Sequence, residues 1–122
     1  MKCLDGRLFC LGVALLTLAS CTETLEPLLT GQKVTLMAPV NHAVSADTTQ
    51  TFAWDSVGSA VAYELQVVTP GFDSIVTVAL DTLVRTNRFD IPLGPGTYQW
   101  RVQARNNSTV SAFSDPWTLT VQ

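Results

Sequence analysis

Three kinds of side chain in this sequence have reactive chemistry: cysteine thiols, one imidazole and scattered carboxylates. Cys3, Cys10 and Cys21 all lie within the first 21 of 122 residues. A thiolate is the strong nucleophile among them, suited to forming a covalent sulfur link. His42 is the single histidine, in a loop after Pro39 with no cysteine beside it. Metal centres need three or four converging ligands, so a solvated loop imidazole is the expectation. Asp47, Asp55, Asp73 and Asp81 lack the dense oxygen spacing of a calcium loop, and no second carboxylate is placed to share acid and base work. Serines are plentiful, yet no nucleophile elbow or partnering base accompanies them. No enzymatic activity, metal or cofactor is expected.

The cysteines are best read with the segment that carries them. Lys2 and Arg7 give a basic start diluted by Asp5, and residues 8–18 form an apolar run. That length suits a signal segment, predicted as a helix, whereas a membrane-spanning helix needs roughly 20 apolar residues. Thr22, Glu23, Thr24 and Glu26 follow without a basic stop-transfer cluster. Residues 1–20 are therefore expected to target the chain and then be removed. Only Cys21 would remain, so no intramolecular disulfide can form.

Leu18-Ala19-Ser20-Cys21 resembles the bacterial lipoprotein signal box: a leucine, two small residues and the modified cysteine. The resemblance implies diacylglyceryl transfer to the Cys21 sulfur, acylation with palmitate-type chains, and attachment to the membrane. Each buried methylene contributes about 0.8 kcal/mol, so one chain holds marginally and several hold durably. Within that family an aspartate after the cysteine goes with inner-membrane retention. Thr22 stands there instead, which implies the outer membrane. The alternative is an ordinary secreted protein cut after Ala19, with Thr17 at the −3 position and Cys21 incidental.

From Cys21 onward five Lys and Arg oppose nine Asp and Glu. Nucleic-acid binding draws on clustered positive charge, so this mild acidity argues against it. Residues 21–32 are polar, contain Pro27 and Gly31, show no sustained periodicity and read as a flexible tether. Residues 33–122 are enough for one domain, and a body this small must pack a single core well.

Within that body the apolar period is two, and short runs rich in Val, Thr, Tyr, Trp and Phe alternate with Pro, Gly, Asn and Asp clusters. Strands are predicted at 34–38, 51–55, 61–68, 75–80, 88–91, 98–105 and 117–122. Seven such strands point to an all-β, antiparallel sandwich. Tyr98, Trp100, Val102 and Ala104 alternate with Gln99, Arg101, Gln103 and Arg105, so one face is core and the other wet. Tyr63, Leu65 and Val67 form a second inward set, with Glu64 and Gln66 outward. Phe52 with Trp54 and Trp117 with Leu119 and Val121 supply two more.

Leu93-Gly94-Pro95-Gly96-Thr97-Tyr98, followed by Arg101-Val102-Gln103-Ala104, resembles the corner and sixth strand of a fibronectin type III domain. Trp54 and Tyr63 stand where that family carries its second-strand tryptophan and third-strand tyrosine, and Ser111 to Ser114 resemble its serine-rich approach to the last strand. A related immunoglobulin-like sandwich is the fold alternative. The resemblance implies a structural core including Trp54, Tyr63, Leu93, Tyr98, Trp100 and Val102. Pro95-Gly96 would make the turn, and the Tyr98 hydroxyl would bond back across it.

The outward set Glu64, Gln66, Gln99, Arg101, Gln103 and Arg105 is a candidate binding face, with an exposed Glu64–Arg101 pair expected. An ordinary solvated sheet face is the plainer reading, although amides and guanidinium groups in a plane also hold sugar hydroxyls or carboxylates. Phe72 follows Pro70-Gly71 at a hairpin tip, where it either meets a ligand or folds over the sandwich end. Phe113 is expected to be buried or stacked on Arg105. Such sandwiches host many roles. The resemblance therefore implies a non-catalytic surface module for protein or glycan binding and adhesion. Alternatively it implies an accessory subunit of an outer-membrane, glycan-uptake type complex, docking through a sheet edge.

Overall fold

The computed structural model describes residues 28–122. The leader, Cys21 and most of the tether fall outside the described residues. Eight strands follow in order: β1 (Leu36–Ala38), β2 (Ala43–Ser45), β3 (Thr49–Trp54), β4 (Ala62–Gly71), β5 (Ser74–Val84), β6 (Arg88–Pro92), β7 (Gly96–Arg105) and β8 (Trp117–Val121). They form a three-stranded sheet, β1-β3-β6, and a five-stranded sheet, β2-β8-β7-β4-β5. This is the all-β sandwich that the alternation predicts, with β4 and β7 at the centre of the larger sheet.

Two differences from the sequence reading have physical causes. β2 was not anticipated, and it pairs parallel with β8, Ala43 opposite Leu119 and Ser45 opposite Val121. It is the one parallel pairing between named strands, and three residues are too few to show an alternating pattern. The tether also ends earlier than expected. Leu29 is 0% exposed, packs into the core cluster, and its N–H donates to Thr109 Oγ1 at 3.0 Å. The Leu28-Leu29 pair is too short to show a period, and the folded body includes residues from Leu29 rather than beginning at Lys33.

The core is built from inward positions of both sheets. Phe52, Trp54, Leu65, Val67, Trp100, Val102 and Leu119 are fully buried, and Tyr63, Leu93 and Tyr98 lie beside them in the same cluster. Rings meet edge to face: Phe52 with Trp100 at 4.9 Å and Trp54 with Tyr63 at 5.6 Å between centroids. Such contacts add about 0.5–1.5 kcal/mol each beyond the burial of area. Tyr98 closes the corner before β7 as expected, its hydroxyl donating to the Gly94 carbonyl at 2.8 Å. The Tyr63 hydroxyl accepts from the Val57 N–H at 2.8 Å, so both phenols enter the core with their polar ends satisfied.

Candidate functional site

The outward set converges on one face of the five-stranded sheet because β4 and β7 pair along their lengths. Gln66 lies opposite Arg101, Glu64 opposite Gln103, and Val68 opposite Gln99. On the other side of β4, Asp81 of β5 lies opposite Gln66. A row Asp81–Gln66–Arg101 thus crosses three strands. Gln66 ties it together: its amide Nε2 donates to Asp81 Oδ2 at 3.2 Å and to Glu64 Oε2 at 3.1 Å, and its Oε1 accepts from Arg101 Nε at 2.8 Å. Asp81 had no role in the outward set read from the sequence, since strand order alone brings β5 beside β4.

The expected Glu64–Arg101 pair is not formed. Glu64 instead pairs with Arg105, whose Nη1 lies 3.1 Å from Oε1. Arg101 is held elsewhere, its guanidinium 4.1 Å from the Phe72 ring centroid and 4.3 Å from that of Phe113. Phe113 therefore stacks on Arg101 rather than on Arg105. Two rings and the Gln66 carbonyl keep Arg101 from swinging toward Glu64, leaving that carboxylate to Arg105, a diagonal neighbour on the same face.

Each ring is delivered by a specific local device. Phe72 sits at the β4–β5 turn, where its N–H donates to Gln99 Oε1 at 2.8 Å. A Cβ at Gly71 would come within 2.8 Å of that same oxygen, so glycine lets the turn lie against β7. Phe113 is carried by a segment that runs beside β7 without being a strand. Ser111 and Ser114 bond the β7 backbone twice each: the Ala104 N–H donates to Ser111 Oγ at 2.9 Å and the Val102 N–H to Ser114 Oγ at 3.1 Å. Their own N–H groups donate to the Ala104 and Val102 carbonyls at 2.9 Å. Both serines are buried, and Phe113 between them is turned onto the outer face.

The chemistry left on this face is limited. Gln99 spends its second end on Thr118 Oγ1 at 3.3 Å, and Gln103 Nε2 donates to the Ser111 carbonyl at 2.9 Å. Each of these amides already has a partner within the face, which reduces what it offers to sugar hydroxyls. The Glu64 carboxyl titrates above its ordinary range, chiefly because of burial and then because of the Asp81 carboxylate beside it. Arg105 and Gln66 pull in the opposite direction. That pair lies on an open sheet face, and among the described residues no pocket surrounds it. His42 lies in an exposed turn with φ of 68°, and no group of three His, Cys, Asp or Glu gathers among the described residues.

The more open surface is beside this face. β5 is an edge strand, and Ile75, Val76, Val78 and Leu83 on it are exposed, Val76 by 79%. None of these residues stood out in the sequence as a site, because exposure at an edge is a property of strand order.

The fold has clear likenesses among solved structures. A human fibronectin type III domain from the KIAA0970 protein matches at a TM-score of 0.55 and 20% identity, over 84% of this chain and 80% of that one. A fibronectin-like protein from Clostridium thermocellum matches at 0.48 and 16% identity, covering 76% of this chain and 90% of that one. The fibronectin-like modules of CbhA from the same organism match at 0.47 and 15%, covering 72% and 92%. No family model matches the chain, and no curated protein matches it. At these identities the likeness is one of fold: a fibronectin type III-like sandwich.

Proposed function

We propose that this chain is a non-catalytic surface module, held at a bacterial outer membrane through acyl chains on Cys21, whose sandwich docks protein through the β5 edge. The observation that carries the docking half is β5 itself: 11 residues at a sheet edge, with four exposed aliphatic side chains. Unpaired backbone on an exposed edge is a template for strand addition. The polar face beside it favours protein over glycan, because its glutamines are bonded to neighbouring side chains and backbone. The anchoring half rests on Leu18-Ala19-Ser20-Cys21 and the short apolar run before it.

Two experiments test the two halves. Radiolabelled palmitate should enter the wild-type chain and not Cys21→Ala, and equal labelling of both would end the anchored reading. Glycan arrays and capture from solubilised envelopes should be run with the wild-type chain and Val78→Lys, which places a charge on the edge. The docking reading expects blank arrays and capture that is lost in the variant. Array binding that survives Val78→Lys would replace it with a glycan-binding role.

A further inference from the structure

Natural sheet edges are blunted by short length, lysine, proline, inward charge or bulges that twist the edge away. β5 has 11 residues, Ser-Ile-Val-Thr-Val-Ala-Leu-Asp-Thr-Leu-Val, without lysine, arginine or proline. Its pairing with β4 shifts register twice, between Val67 and Val68 and between Thr69 and Pro70. Those shifts leave Ala79 and Val76 of β5 without partners on β4, bend the strand there and add no charge to its far side.

The sequence around this strand is complementary to itself. Ala79 is the midpoint of β5. A second β5 laid antiparallel about Ala79, the residue that the first shift leaves without a partner on β4, overlaps the full strand, setting Ser74 opposite Val84 and Ile75 opposite Leu83. Ile75 and Leu83, 48% and 56% exposed in the single chain, then cover each other. One residue beyond each end, Asp73 comes opposite Arg85. Both are exposed, and neither has a hydrogen bond or ion pair among the described residues. Two-fold symmetry forms that pair twice, once at each end. Sliding the strands until Thr77 is central sets Asp73 against Asp81 instead, where like charges repel. Charge and apolar contact therefore both favour the full-length register over that slip.

We infer that β5 recognises β5: two copies of this chain join edge to edge, antiparallel about Ala79, into one continuous sheet with Asp73–Arg85 pairs at both ends. This rests on the docking reading above and names the partner as a second copy. The interface is isologous, so it closes at two copies and does not propagate through β5. A single added strand buries little area and binds weakly in dilute solution. Anchoring of both copies in one membrane raises their effective concentration.

The test uses the full chain in detergent micelles and in lipid vesicles, with mild oxidation. Chains carrying Ile75→Cys are mixed with chains carrying Leu83→Cys, and the linked peptides are identified by mass. A disulfide between positions 75 and 83 is expected in the mixture, with neither variant linking to itself at these positions. In the same assay Asp73→Arg should lower the yield by roughly fivefold, since two attractive cross-strand pairs become repulsive. Adding Arg85→Asp to that chain should restore it, an outcome that a different partner protein would not produce. No 75–83 link in either setting, or no rescue by the double reversal, overturns self-pairing. If the link is absent while envelope capture still depends on Val78, self-pairing fails and docking to another protein stands. If capture is absent too, both readings fail.

Discussion

The two edges of the five-stranded sheet are finished in opposite ways. On the β8 side the edge is β2, three residues long and parallel to its neighbour. The segment before β8 is fastened to β7 by the side chains and backbones of Ser111 and Ser114. On the β5 side, 11 residues run along β4 with their far edge open among the described residues. The first flank spends its polar groups on closure. The second leaves backbone and aliphatic side chains to solvent, an arrangement that costs solubility unless something covers it. On the proposed reading the closed flank is architecture and the open one is the docking surface.

Substitutions should divide along the same line, with the largest effects on the packed side. Trp100→Ala removes a fully buried ring that touches Phe52 and Trp117, and it should cost about 3–5 kcal/mol in urea unfolding. A cost under about 1 kcal/mol would mean that the two sheets are not packed through β7. Ser114→Ala leaves the buried Val102 N–H without its side-chain acceptor. The expected loss is about 1–3 kcal/mol, read from the same unfolding curves, and a neutral result would break the claim that this flank is closed by serine side chains.

On the open flank Val78→Lys should shift stability by no more than about 0.5 kcal/mol while abolishing envelope capture and association between copies. A large stability loss there would show that β5 is part of the core rather than a free edge. The smallest effect is the pH response of Glu64. Its folded-state pKa is raised, first by burial and then by Asp81, so between the ordinary carboxylate range and the raised value the folded chain holds a proton that the unfolded chain releases. Stability should therefore fall as pH rises through that interval. Glu64→Gln should flatten the slope in unfolding measured at a series of pH values, and an unchanged slope would assign it to another group.

Much of this plan was legible in the amino-acid order. The alternation through Tyr98, Trp100, Val102 and Ala104 placed β7 and its two faces, and Leu93 to Tyr98 placed the corner, because side-chain period and turn chemistry are local properties. The outward residues did gather on one face. Their partners were not legible: Arg101 could reach Glu64 by spacing alone, and only the arrival of Phe72 and Phe113 from two other segments decides that it does not. β2 and Leu29 were missed because neither belongs to a run long enough to show a period. The exposed stretch of β5 was read as a strand, yet its standing as an edge follows from which strands pair, a long-range fact that periodicity does not carry.

The most direct test of the open edge is amide hydrogen exchange on the full chain bound to lipid vesicles, comparing β5 with β7 in the wild type and in Val78→Lys. The β5 amides not bonded to β4 should be protected to nearly the level of β7 in the wild type and should exchange quickly in the variant. Rapid exchange of those amides in both chains would contradict that expectation, because β5 would then be uncovered where the protein works.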